Sequence, residues 1–201
     1  MPAPGRHRVT DIRSAIRAEV SSIQPLDALE RAHRDDTLAW IDSGVELCRV
    51  HKPATPPKHL VSYFALVDQD NVLLVDHKKA QLWLPTGGHV EPGEHPRVTV
   101  ARELAEELGL ELSDAPESPL MLTVSETVGT TAGHTDVCLW YVLTGDRHAP
   151  LQFDTEEFHS VRWFQFAATP VFQSDPHLSR FLRKLALTGH PSTTTGFPCK
   201  Q

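Results

Sequence analysis

The stretch from Gly88 to Leu110, GHVEPGEHPRVTVARELAEELGL, decides the reading of this chain, because it gathers a set of glutamates around one short helix. From Pro96 to Leu108 the residues advance about 100° each on a helical wheel, which sets Ala101, Leu104, Ala105 and Leu108 on one side. Glu103, Glu106 and Glu107 fall on the other. Pro96 suits the first helical position, and Gly109 suits the left-handed residue after the last turn. Carboxylates at i, i+3 and i+4 repel one another by roughly a few tenths of a kcal/mol per pair unless a cation sits among them. Magnesium takes oxygen ligands and commonly binds through one or two carboxylates plus substrate phosphates, so it is the expected cofactor, with manganese as its substitute. Upstream, Gly87 and Gly88 let the backbone approach a metal or phosphate closely, and Pro92 with Gly93 turns the chain so that Glu94 reaches Arg102. A solvated acidic helix with an aliphatic underside is the plain alternative, but it does not account for the glycines and Arg102 at these spacings.

Gly88, five residues, Glu94, seven residues, then Arg102-Glu103-Leu104-Ala105-Glu106-Glu107-Leu108-Gly109-Leu110 resembles the signature of the Nudix hydrolases without a departure. The resemblance implies an α/β fold, a Nudix-type mixed β-sheet sandwiched between helices, here with an N-terminal helical extension. It implies attack of water on a phosphorus within a nucleoside diphosphate linked to a further group. By motif position, Glu106 and Glu107 hold the metal, the carbonyl of Gly87 completes the coordination, and Glu103 binds a further ion or orients water. Gly88 lies against the substrate, and Glu94 with Arg102 is a bracing ion pair. The general base varies among relatives, which leaves Glu126, Glu156 and Glu157 as candidates alongside Glu103.

At 201 residues the chain suits one catalytic domain with an appendage. Its 40% hydrophobic and 22% charged residues describe a soluble protein, and no apolar run approaches membrane-spanning length. The start, MPAPGRHRVTDIR, has no signal-like apolar core, and the three cysteines are widely spaced, so a cytoplasmic location is expected. A net charge of −7 argues against a nucleic-acid partner, and no membrane partner is expected. None of the 12 histidines forms a His-Glu-x-x-His pair or joins the cysteines at zinc spacing, so zinc is not expected. No Gly-x-Ser-x-Gly turn supports a serine nucleophile.

Ile12, Ile16 and Val20 predict a first helix, and Asp27 with Glu30 resembles a cap for a second that carries Leu29, Leu38, Trp40 and Ile41. The prolines from Lys52 to Lys58 read as a connector, which gives residues 1–57 as a helical extension, 58–190 as the catalytic domain and 191–201 as a tail with little to bury. The extension is expected to pack on the domain or on a second subunit in a homodimer, and its removal is expected to leave a folded domain. Strands are predicted at His59–Val67, Asn71–Asp76 and Leu82–Thr86, then at Leu120–Ser125, His134–Leu143 and Phe158–Phe164. Leu178, Phe181, Leu182 and Leu185 predict a last helix. On the fifth of these strands the odd positions are apolar, while His134, Asp136, Cys138 and Trp140 share the even face and offer a substrate hydrogen bonds and a stacking plane. Glu126 falls on the apolar side of the preceding strand.

The preferred substrate is expected to be a nucleoside triphosphate, cleaved to monophosphate and pyrophosphate. No Ser-Gln-Pro-Trp-Pro run resembles the NADH-cleaving relatives. The proline that follows the motif in ADP-ribose hydrolases has no counterpart, since Pro116 and Pro119 come too soon and Ser125 stands near its place. No tyrosine occupies that place, which turns the reading away from dinucleoside polyphosphates. Asn71, the only asparagine, lies in the hairpin, so reading of an 8-oxo-guanine by an asparagine is not expected. The alternatives are a nucleotide-sugar hydrolase of the ADP-ribose kind and a non-catalytic Nudix-like nucleotide sensor.

Overall fold

A computed structural model describes residues 11–52, 55–112, 114, 116–127 and 133–189, so the tail from 191 lies outside the described residues. Helices α1 (Ile12–Ser22) and α2 (Ala28–Asp42) precede strands β1 (Lys58–Asp68), β2 (Asn71–His77), β3 (Leu82–Leu84) and β4 (Thr86–His89). Helix α3 (Pro96–Leu108) is followed by β5 (Met121–Glu126), β6 (Thr135–Thr144), β7 (Phe158–Gln165) and α4 (Leu178–Thr188). The strands form one mixed sheet in the order β3-β2-β1-β6-β5, with β4 paired to β1 and β7 paired to β2. β1 and β6 run parallel over the whole of their contact, from Lys58 opposite Thr135 to Val67 opposite Thr144.

Helices cover both faces of this sheet, so the strands are buried on both sides and lose the simple alternation of a half-exposed sheet. Leu60, Phe64 and Leu66 of β1, with Val137, Leu139, Tyr141 and Leu143 of β6, pack in one cluster with Val100, Leu104 and Leu108 of α3 and with Ile16, Val20 and Ile41 of α1 and α2. Val61, Ala65 and Val67, with Cys138, Trp140 and Val142, pack on the other face against Leu178, Phe181, Leu182 and Leu185 of α4. The even face of β6 is therefore a core face: Trp140 is fully buried, stacks on Phe181 and donates its Nε1–H to Thr123. β5 is likewise buried at Met121, Leu122 and Thr123, but Glu126 at its end is exposed and does not enter the apolar layer expected for it.

The two N-terminal helices share the main core and are tied to it by buried charge. Asp27 caps α2 by accepting from the Glu30 amide, as expected, and Asp35-Asp36 do not interrupt the helix. Leu29, expected to pack, is exposed, whereas Glu30 is fully buried. Its carboxylate accepts from the Leu26 amide, from the edge-strand amide of Leu122 at 3.4 Å and from Lys184 of α4. Together with Val124 N–H donating to His33 Nδ1, these bonds cover the edge of β5. Buried Glu19 of α1 accepts from Arg97 of α3 at 2.6 Å and from the Tyr141 hydroxyl at 3.2 Å. Removing one partner of a buried pair costs about 3–5 kcal/mol, because the other charge is left uncompensated. Lys184→Met is thus expected to destabilise the protein by about that amount in urea melts, and Glu30→Gln added to it is expected to recover a large part.

Candidate functional site

Gly87 and Gly88 sit in β4 alongside β1, with Gly87 opposite Tyr63 and Gly88 opposite Ser62, which lays the glycine pair beneath α3. Pro96 opens α3 and Gly109 closes it in the left-handed conformation at φ 63°, so the helix has the bounds its sequence predicts. Its buried side differs from the wheel: Leu104 and Leu108 are fully buried with Thr99 and Val100, while Ala105 is exposed. The three glutamates consequently occupy three environments. Glu107 is 6% exposed and accepts the Gly87 N–H at 3.0 Å. Glu103 is largely buried, against Gly88, and Glu106 is exposed.

Arg102 is the hub that holds them. It donates to both Glu94 oxygens at 3.2 Å, to Glu103 at 2.7 Å, to Glu106 at 3.3 Å and to the His89 carbonyl at 3.2 Å. The Glu94–Arg102 pair is therefore present but is one part of a larger network. Glu94 also accepts from Thr99 Oγ1 and the Glu91 amide. Burial works against its charge, but these hydrogen bonds together hold its carboxyl below the usual range. Burial pushes Glu103 up despite Arg102, and burial with the neighbouring Glu103 charge pushes Glu107 well above the ordinary carboxylate value. The Arg102 guanidinium thus faces more carboxylate than it neutralises, and the donors are all oxygen, a set that suits a hard divalent cation such as magnesium or manganese.

Among the candidate bases, the structure brings Glu157 to this group. The turn before β7 is pinned there by Asp154 N–H donating to the Glu107 carbonyl at 2.8 Å, and by Lys78 N–H donating to the Glu157 carbonyl at 3.0 Å. The charge of Glu157 is felt by both Glu103 and Glu107. Glu156 is exposed, its amide bonded to Asp154, and Glu126 is exposed at the end of β5. Of the substrate-binding candidates on β6, Trp140 has no open ring face, while His134 and Asp136 belong to a cluster with His59 and His89. That cluster was not legible as a site from spacing, although His89 directly follows the glycine pair and was the available signal.

The glycines separate two outcomes. A Cβ on Gly88 would stand 2.0 Å from Glu103 Oε1, so the flexible carboxylate must leave its seat. A Cβ on Gly87, where φ is 142°, would stand 2.1 Å from the Ser62 backbone carbonyl, which cannot give without breaking the β1–β4 pairing. Gly88→Ala is expected to lower activity about a hundredfold with little change in melting temperature. Gly87→Ala is expected to lower the melting temperature sharply, and calorimetry with steady-state rates on both variants checks the contrast.

The NUDIX domain family matches residues 58–185, and the chain belongs to the Nudix hydrolases, enzymes that hydrolyse nucleoside diphosphate derivatives. Its fold is similar to that of a MutT NUDIX hydrolase from Burkholderia pseudomallei, at 22% identity and TM-score 0.51, over 64% of this chain and 98% of that one. It is also similar to the MutT protein from Methanosarcina mazei Go1, at 17% identity and TM-score 0.55, over 67% and 97% of the two chains. No sequence among curated proteins matches it significantly. No helix among the described residues is long and apolar enough to cross a membrane.

Proposed function

We propose that the protein is a magnesium-dependent pyrophosphohydrolase that cleaves a nucleoside triphosphate to the monophosphate and pyrophosphate. The observation that carries this reading is the graded glutamate set of α3, packed against a glycine backbone and held by one arginine. Glu103, Glu106 and Glu107, with the Gly87 carbonyl, would hold magnesium or manganese, which when bound neutralises the diphosphate and eases deprotonation of the attacking water. Arg102 fixes the Glu103 and Glu106 carboxylates, and the Gly87 N–H fixes Glu107. Gly88, lacking a side chain, leaves Glu103 in place beside the reacting diphosphate. Glu157 accepts the proton of the water as its oxygen bonds to phosphorus and the bridging P–O bond breaks. The choice of a triphosphate rests on the residues after the motif, where Ser125 replaces the proline or tyrosine of other substrate classes.

The test is a panel of triphosphates, dinucleoside polyphosphates and nucleotide sugars with magnesium, products separated, in water enriched in oxygen-18. Label in one phosphate-bearing product of a triphosphate is expected, and Glu157→Gln is expected to flatten the pH dependence of kcat/KM and lower its plateau about a hundredfold or more. ADP-ribose or another nucleotide sugar cleaved far faster than every triphosphate would replace this substrate assignment, and binding without turnover would replace hydrolysis with sensing.

A further inference from the structure

Beside the glutamate site, three histidines and one aspartate converge from three strands. His59 lies opposite Asp136 in the parallel β1–β6 pair, and Val61 lies opposite both Cys138 and His89, so the register turns His59, Asp136 and His89 to the same side of the sheet. His134 immediately precedes β6 and completes the group. One ligand atom from each of the four residues lies within 4.8 Å of all the others. Asp136 Oδ1 stands 3.2 Å from His59 Nε2, 3.3 Å from His134 Nε2 and 4.0 Å from His89 Nε2. Ligands about 2.1 Å from a tetrahedral ion stand roughly 3.4 Å apart, so the cluster needs little adjustment to enclose one.

Hydrogen bonding fixes what these atoms are. His59 Nδ1 lies 2.8 Å from the Pro56 carbonyl, which only accepts, so that nitrogen carries a proton and Nε2 is the nitrogen turned toward the cluster. Nε2 faces a carboxylate oxygen, and although the two atoms are close, both His59 Nε2 and Asp136 Oδ1 are buried without a hydrogen-bond partner. His89 Nε2 is buried and unpartnered as well, and His59 as a whole is fully buried. Buried polar atoms left without a partner are costly, and a cation held among them would satisfy all three. His134 Nδ1 lies 3.2 Å from Thr127 Oγ1, which leaves its Nε2 toward the cluster and, with the Pro56 contact, forms the outer support usual for metal-binding imidazoles. The Arg49 charge lies near His89 and His134 and opposes a cation there, and the Asp136 carboxylate offsets it.

We propose that His59, His89, His134 and Asp136 bind one divalent transition-metal ion, zinc by preference, in a structural site distinct from the glutamate site. Three imidazole nitrogens and a carboxylate make a closed tetrahedral set that suits zinc, whereas magnesium seeks the all-oxygen site on α3. The ion would pin the end of β4 to β1 and β6 directly after Gly87 and Gly88, with the His89 carbonyl held by Arg102.

The test uses the full chain without a polyhistidine tag, stripped of metal and titrated with zinc in excess magnesium. One zinc per chain by mass spectrometry of the metal, a higher melting temperature, and the intense visible bands of tetrahedral cobalt(II) on cobalt loading are expected. His134→Gln and Asp136→Asn, checked for folding by circular dichroism, are expected to weaken zinc by more than the roughly 10–100-fold that losing an outer-shell partner costs. Glu107→Gln is expected to keep it. Absence of zinc binding in the wild type, wild-type zinc affinity in both cluster variants, an octahedral cobalt spectrum, or loss of zinc in Glu107→Gln would each overturn the proposal.

Discussion

Glu107→Gln is expected to lower kcat/KM in magnesium by at least about a hundredfold, roughly 3 kcal/mol of transition-state stabilisation, while the protein stays folded. Glutamine has the shape of glutamate, and its carbonyl oxygen can still accept the Gly87 N–H, so the strand-to-helix contact survives. What disappears is one negative charge at a residue 6% exposed. In the metal-free protein that charge is a burden, since burial and the nearby Glu103 hold the carboxyl well above its ordinary 4.5. The folded chain therefore retains a proton that the unfolded chain has already released. Stability from this residue is fully present below pH 4.5 and is lost as pH rises through the raised value. Two measurements follow. In EDTA, the melting temperature of Glu107→Gln should exceed that of the wild type at neutral pH, and the gap should close toward pH 4.5. Magnesium should raise the wild-type melting temperature more than that of the variant. Near-normal turnover, or equal stabilisation of both by magnesium, would remove Glu107 from the metal site.

How much of this was legible in the chain follows from where the information is stored. Helix α3 carries its own punctuation, Pro96 and Gly109, and its partner loop is within reach of local turns, so the bounds and the Glu94–Arg102 contact follow from sequence. The hairpin of β1 and β2 is equally local. The even face of β6 misleads because alternation identifies a water-facing side only when one side faces water. With α4 on that side, Cys138 and Trp140 are core, and a pattern of His, Asp, Cys and Trp looked more polar than its surroundings are. Glu30 shows the same limit: its capping role is local and was readable, but its partner Lys184 lies 154 residues away. The cluster of His59, His89, His134 and Asp136 has no characteristic spacing, since the parallel register of β1 and β6 and the return of β4 assemble it, and no linear motif encodes such a register.

Deletion of residues 1–57 is expected to abolish cooperative unfolding, contrary to the expectation drawn from the proline connector. The family match begins at residue 58, but the physical core does not. Ile16, Val20, Ile23 and Ile41 are buried in the same cluster as Leu104, Leu122 and Tyr141. At about 1.5–3 kcal/mol for each large aliphatic side chain, their burial amounts to about 6–12 kcal/mol, comparable with the whole stability of an ordinary domain, about 5–15 kcal/mol. Deletion also removes Glu30 from Lys184, Glu19 from Arg97 and Tyr141, and the carboxylate and imidazole that cover the β5 edge. Nor is the connector a free tether. Leu60 N–H donates to the Leu47 carbonyl at 2.8 Å, Thr135 N–H donates to the Pro57 carbonyl at 2.7 Å, and Leu47 and Cys48 are buried. Pro56 also accepts from His59, so deletion strips the support of the proposed zinc ligand. The truncated chain should therefore aggregate or unfold without a sharp transition in differential scanning calorimetry, and it should bind a dye specific for exposed apolar surface. A sharp two-state transition with retained magnesium-dependent hydrolysis would show that the sheet and α3 suffice alone, and would return the first two helices to the role of a detachable cap.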